Sequence, residues 1–126
     1  MSSDQNAFDF ATITLADLDR LDSTVINDLS FGVVGLSPEG LVKVYNQTES
    51  RAAGLSLDSV LNTHYFATTA QCMNNFMVAQ KFEDEPTLDT TLDYVLTLRM
   101  RPTPVKLRLL KGSAAPLRYI LILRSK

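Results

Sequence analysis

"FGVVGLSPEGLVKVYNQTESR", residues 31–51, decides how the chain is read. Two apolar runs, residues 31–36 and 41–45, flank the tetrad "SPEG". Pro38 presets φ for the first central position of a turn, and Gly40 supplies the positive φ that closes it. The stretch therefore predicts a β-hairpin. The "QTESRAAGLS" that follows predicts a short helix ending near Gly54. Tyr45 and Glu49 lie four residues apart, across the strand end and the helix start. Each has an ordinary explanation, since tyrosine often ends strands and the helix dipole favours an acid in the first turn. Their joint meaning depends on the rest of the chain.

Upstream, Ile13, Leu15, Leu18, Leu21, Val25, Ile26 and Leu29 fit one or two short amphipathic helices. Thr14 is the expected N-cap, with Asp17 as its capping-box partner. Downstream, "SLDSVLNTHYF" predicts another short helix capped by Ser56. From Cys72, "CMNNFMVAQKFEDE" carries a helical stripe at Met73, Phe76, Met77, Ala79 and Phe82, capped by Asn74 or Asn75 and stopped by Pro86. These apolar residues are expected in the core.

The last third alternates in the manner of strands. Leu92, Tyr94, Leu96, Leu98 and Met100 share one face. "VKLRLLKG" sets Val105, Leu107 and Leu109 against Lys106 and Arg108, and "LRYILILRSK" is too apolar to be solvated on both faces. Asp93, Arg99, Arg101, Lys106 and Arg108 read as the solvated side of these strands. The predicted order is helix, two strands, several short helices and three strands. Short turns between paired runs argue for an antiparallel sheet crossed on one face by the helical middle. The expected class is α+β in a single domain, with residues 1–28 as an N-terminal helical cap and 29–126 as the core.

The totals set limits. The 126 residues suffice for one core, and 45% hydrophobic with 21% charged residues is ordinary globular composition. Twelve Lys and Arg against fourteen Asp and Glu argue against a nucleic-acid partner. No apolar run approaches the roughly 20 residues of a membrane span, and the polar start "MSSDQNAFDF" is no secretory signal, so a cytoplasmic location is expected. One cysteine, Cys72, excludes an intrachain disulfide, and one histidine, His64, gives no metal-ligand spacing. His64 reads as a surface or capping residue. A cysteine nucleophile would need a positioned base, and no phosphate loop or catalytic acid pair is recognisable, so an enzyme is the weakest reading.

The element order at this length resembles that of a PAS domain. Within that group the chain is similar to the photoactive yellow proteins, or xanthopsins, over nearly its whole length. The residues that carry the likeness are Tyr-Asn-x-x-Glu at 45–49, the lone cysteine after "HYFATTAQ", and the "MRPT" turn at 100–103. The resemblance implies a PAS fold: a central antiparallel five-stranded sheet with short helices on one face and an N-terminal helical cap. It also implies p-coumaric (4-hydroxycinnamic) acid held as a thioester on Cys72. Tyr45 and Glu49 would then bind the phenolic oxygen, Met100 would lie near the ring, and Phe66 and Leu96 would help wall the pocket.

These residue types suit that chemistry. A thioester needs a sulfur nucleophile, and a buried phenolate needs charge-assisted donors. Glu49 can donate only when protonated, which burial beside an anion favours. The implied cycle is light-driven trans–cis isomerisation, proton transfer from Glu49 and loosening of the cap as the signal. The implied partners are the covalent chromophore and an unidentified downstream signalling protein, with no nucleic acid and no membrane; the chain itself is expected to be a monomer or weak dimer.

The match departs at four places. Ala53 stands where the family has a threonine supporting the tyrosine, and Leu55 where it has an arginine above the ring. A screening charge would then come from a neighbour such as Arg51, Arg99 or Arg101. Gln71 replaces the proline before the cysteine, and the loop between Cys72 and Met100 is a few residues shorter. Two readings from different classes remain: a blue-light receptor carrying p-coumarate, and a chromophore-free PAS module that binds a partner or small ligand.

Overall fold

Residues 8–97 and 101–124 are described by the computed structural model. The chain enters through α1 (Leu15–Arg20) and α2 (Ser23–Asp28). Both start on a side-chain cap. Asp17 N donates to Thr14 Oγ1 at 3.1 Å, Thr14 N donates back to Asp17 Oδ2 at 3.0 Å, and Asp22 Oδ1 accepts from Val25 N at 3.1 Å. These bonds satisfy amide donors that a helix start leaves without intrahelical partners.

The hairpin follows as β1 (Gly32–Leu36) and β2 (Val42–Tyr45), closed with Gly40 at φ 91°. Asn46 caps α3 (Gln47–Ala53), which stops on Gly54 at φ 72°; Ser56 caps α4 (Leu57–Val60). A π-type turn at Tyr65–Thr69 and a 3-10 turn at Gln71–Met73 lead to α5 (Ala79–Asp84). Three strands complete the chain: β3 (Leu88–Leu96), β4 (Thr103–Lys111) and β5 (Arg118–Arg124).

One predicted helix is much shorter than its sequence stripe. Asn75 Oδ1 accepts from Met77 N at 3.0 Å and Val78 N at 3.2 Å, so a side chain takes amide donors that a helix would use. The helix forms only from Ala79. Met73 and Phe82 are buried as expected, but Phe76 is 78% exposed and Met77 also faces solvent. These two are not core residues.

The five strands are antiparallel in the order β2-β1-β5-β4-β3. Because side chains alternate across a sheet, each face collects its own apolar set. Val34, Leu36, Leu107, Leu109, Ile120 and Ile122 pack against the helical middle through Val60, Tyr65, Phe66, Met73 and Phe82. Val33, Leu110, Tyr119 and Leu121 pack on the opposite side against Phe10, Ile13, Leu18 and Ile26 of the cap and Leu29 just after it. Both faces are covered, which explains why residues 119–122 of β5 are all buried.

Arg108 departs from the sequence expectation. It lies on the cap side of β4 and is 5% exposed, whereas Lys106, two residues earlier, remains in solvent. Its Nη1 donates to the carbonyls of Phe10 at 2.9 Å and Ile13 at 2.6 Å. Nε and Nη2 form a fork on Asp89, at 2.9 and 3.0 Å. The cap covers the strand at this point, so a cation placed there survives burial only by satisfying chain carbonyls and a carboxylate.

Candidate functional site

The site is assembled at the join between β2 and α3. Asn46 Oδ1 accepts from Glu49 N at 3.1 Å and Val33 N at 2.9 Å, while its Nδ2 donates to Ile26 O at 2.9 Å and Phe31 O at 3.1 Å. Thr48 Oγ1 donates to Leu29 O at 2.5 Å, and Gln47 N donates to Asn27 Oδ1 at 2.8 Å. The start of α3 is therefore fastened both to β1 and to the segment leaving the cap. Tyr45 and Glu49 are carried inward from this fastened point.

Glu49 is 1% exposed, although it lies in the first turn of a helix whose other face meets solvent. Its carboxylate is gripped by Arg124 at the end of β5, with Nη1 donating to Oε1 at 2.6 Å and Nη2 to Oε2 at 3.1 Å. Gly32 lies against the same oxygen: a Cβ built there would fall 2.1 Å from Oε1. Burial pushes the Glu49 carboxyl above its ordinary value, and the guanidinium pulls it back.

Tyr45 is 4% exposed, and its hydroxyl has no hydrogen-bond partner among the described residues. A buried hydroxyl without a partner costs about 1–3 kcal/mol, so it marks a place suited to a polar ligand atom. Burial raises the Tyr45 pKa, and the Glu49 charge adds to the rise. Tyr65 joins this group fully buried, its pKa raised by burial first and then by Glu49, Tyr45 and Cys72. The tyrosines remain neutral donors throughout the physiological range.

Cys72 lies in the 3-10 turn, half-buried, with its thiol free and packed against the same core that contains Tyr45, Tyr65 and Phe66. Its carbonyl accepts from Tyr94 Oη at 2.5 Å and Asn75 Nδ2 at 3.1 Å, and Asn75 also donates to Tyr94 Oη at 2.7 Å. The turn that presents the sulfur is thereby tied to β3.

The structure thus brings Tyr45, Glu49, Cys72, Phe66 and Leu96 to one core, with Phe66 and Leu96 both buried. Leu55 packs on it, and Ala53 is buried at the end of α3. Met100, like Arg99, lies outside the described residues. Arg51 and Arg101 are exposed, and the cation beside Glu49 is Arg124. Sequence reasoning missed Arg124, Tyr65 and the Tyr94–Asn75 clamp. Arg124 had a readable signal: it continues the buried alternation of Ile120 and Ile122. His64 is exposed, and the described residues contain no group of three or more His, Cys, Asp or Glu able to hold a metal. Among them, no helix is long and apolar enough to cross a membrane.

Comparison with known proteins identifies the family and the fold. The chain is 30% identical over 90 residues to a photoactive yellow protein of Halochromatium salexigens, covering 69% of this chain and 72% of that protein. It is 26% identical over 102 residues to one from Rhodothalassium salexigens, covering 79% and 82%. Among solved structures it resembles the photoactive yellow protein domain of the sensor histidine kinase Ppr from Rhodospirillum centenum. That match has a TM-score of 0.79 and 25% identity, over 86% of this chain and 98% of that one. The PAS domain of an HTR-like protein from Haloarcula marismortui, at 12% identity and a TM-score of 0.62 over 82% of this chain and 91% of that one, shares the fold. No protein-family profile matches the chain. Sequence and structure together place the chain in the photoactive yellow protein family, with the PAS fold.

Proposed function

We propose that this chain is a blue-light receptor that carries p-coumaric acid as a thioester on Cys72. The observation that carries the reading is the orphaned Tyr45 hydroxyl, buried beside Glu49 in the core against which Cys72 packs. A thiol suits an acyl carbon, and the Tyr45 hydroxyl suits a phenolic oxygen. The Cys72 thiol attacks the acyl carbon of an activated p-coumaroyl donor; the S–C bond forms as the bond to the leaving group breaks, and the thiol proton goes with that group. Tyr45 donates its hydroxyl to the phenolic oxygen. An anion entering there raises the proton affinity of Glu49 further, so Glu49 holds a proton on a carboxyl oxygen and becomes a second donor.

The bound group supplies light-driven trans–cis isomerisation. Glu49 then passes its proton to the phenolic oxygen and is left as a buried carboxylate. A buried charge whose partnering has changed is costly, and loosening of the cap formed by residues 1–28 relieves that cost. The exposed surface is read by a downstream signalling protein in the cytoplasm, and the receptor itself works as a monomer or weak dimer. Met100 is assigned a place near the ring.

A chromophore-free PAS module is the competing reading, and one observation favours it: Arg124 satisfies both Glu49 oxygens without any ligand. The unpartnered Tyr45 hydroxyl weighs against a purely partner-binding module, though not against one that binds a small polar ligand. The deciding experiment supplies purified protein with activated p-coumarate. The receptor turns yellow and gains the mass of a hydroxycinnamoyl group on Cys72; Cys72→Ala stays colourless, and Glu49→Gln keeps the colour at a shifted wavelength. Folded protein that stays colourless and unmodified eliminates the receptor reading, and an unshifted Glu49→Gln spectrum removes Glu49 from the phenolic site.

A further inference from the structure

We propose that Arg124 is the resident counter-ion of the phenolic site, a positioning residue that holds the Glu49 carboxylate and thereby limits how far the cap loosens after illumination. The part that concerns illumination rests on the reading of the chain as a p-coumarate receptor.

The geometry carries the argument. The two nitrogens of the Arg124 fork meet the two oxygens of Glu49, at 2.6 and 3.1 Å, and Glu49 is 1% exposed. Arg124 stands opposite Val105 in the sheet register and continues the face of Ile120 and Ile122, so the guanidinium is delivered by a paired strand. Gly32 lies against the same Oε1. Among the described residues, the groups that act on Glu49 or feel its charge are Arg124 from β5, Tyr45 from β2 and Tyr65 from the π-type turn; of these only Arg124 carries positive charge. Leu55, which packs on the same core, carries none.

The consequence follows from charge conservation. When the O–H bond of Glu49 breaks and its proton passes to the phenolic oxygen, the negative charge moves onto the carboxyl. Elsewhere that charge would be buried without a partner and would favour opening of the fold. Here a guanidinium already faces both oxygens, so the charge is neutralised in place. Less of it remains to drive the cap from the sheet.

The test compares wild type, Arg124→Gln, Arg124→Lys and the double variant Arg124→Gln/Glu49→Gln. In protein without chromophore, Arg124→Gln leaves Glu49 buried without a cation, and its folded-state pKa rises further above the unfolded value of about 4.3. A raised carboxyl pKa means that the folded state binds the extra proton, so stability falls as pH rises above the unfolded value. The thermal midpoint of Arg124→Gln should therefore fall more steeply with pH than that of wild type. Arg124→Lys should restore much of the wild-type profile, and the double variant should remove the added slope.

Infrared spectra of chromophore-free wild type at neutral pH, differenced against Glu49→Gln, should show a carboxylate and no protonated-carboxyl band; this measurement stands even if Arg124→Gln fails to fold. In loaded protein, light-induced amide exchange of residues 8–29 should be larger in Arg124→Gln than in wild type. A protonated Glu49 in chromophore-free wild type, an unchanged pH slope or unchanged light-induced exchange overturns the proposal. Failure of Cys72 to take up chromophore removes the receptor reading and the light-dependent part with it. The pH slope and the infrared band then decide the counter-ion role alone.

Discussion

Arg108 donates from Nη1 to the carbonyl of Ile13 at 2.6 Å, joining the fourth strand of the sheet to the cap 95 residues earlier in the chain. The same nitrogen reaches the Phe10 carbonyl, and the rest of the fork holds Asp89. One buried side chain therefore fastens three separate segments.

Arg108→Ala should cost about 3 kcal/mol, since buried hydrogen bonds to a charged group are each worth about 1.5–3 kcal/mol. Amide exchange should rise first in residues 8–29. Urea denaturation gives the energy, and exchange mapped along the chain gives the location. Exchange spread evenly over the domain would mean that Arg108 is not a local fastening of the cap.

Asp89→Asn should cost under about 1 kcal/mol, because the Asp89 side chain is 60% exposed and solvent screens the pair. The hydrogen bond from Arg108 lowers the Asp89 pKa below its ordinary value. A depressed carboxyl pKa gives stability that is present above the unfolded value of about 3.9 and is lost as pH falls through the folded value. The variant should lose that acid-side slope and keep its behaviour at neutral pH, which acid titration of the melting temperature will show.

Gly32→Ala should disturb the site without adding or removing charge. Its methyl would fall 2.1 Å from Glu49 Oε1, so the carboxylate must leave the position in which Arg124 grips it. Overpacking of this kind costs about 1–3 kcal/mol. The variant should also make apparent Glu49 protonation easier, readable as a new carboxyl band in infrared difference spectra against Gly32→Ala/Glu49→Gln.

Tyr94→Phe removes the hydroxyl that donates to the Cys72 carbonyl at 2.5 Å and accepts from Asn75. The loss should be about 1 kcal/mol. Alkylation of the single thiol should become faster, because the turn that presents Cys72 is no longer tied to β3. An unchanged alkylation rate would show that Asn75 alone holds the turn.

Alkaline titration should unfold the domain. Burial, reinforced by Asp19, pushes Tyr119 up to about 12, and burial raises Tyr45 and Tyr65 as well. Raised tyrosine values favour the protonated form in the fold, so stability is intact below about pH 10 and declines as pH rises beyond it. Tyrosinate absorbance and loss of secondary structure should therefore rise together.

Much of this molecule was legible from local pattern. Pro38 and Gly40 fixed the hairpin turn, Thr14 with Asp17 and Ser56 marked helix starts, and Gly54 marked a helix end, because each is governed by bonds or φ values within a few residues. Phe76 and Met77 were misplaced because helical spacing cannot reveal that the Asn75 side chain takes the next amides for itself. Arg108 looked solvated because strand alternation assigns it to the second face, and only the docking of the cap decides whether that face meets water. Tyr45, Glu49 and Cys72 could be paired only through their likeness to a family.

The sequence alone determined the elements, their order and the identity of the one available thiol, since those depend on short-range geometry and composition. Tertiary structure decided which charges are buried and what meets them. Arg124 lies 75 residues from Glu49 and Arg108 lies 98 residues from Phe10. Chain separation says nothing about such encounters, and the loss of water that makes them matter arises only when the sheet is covered on both faces.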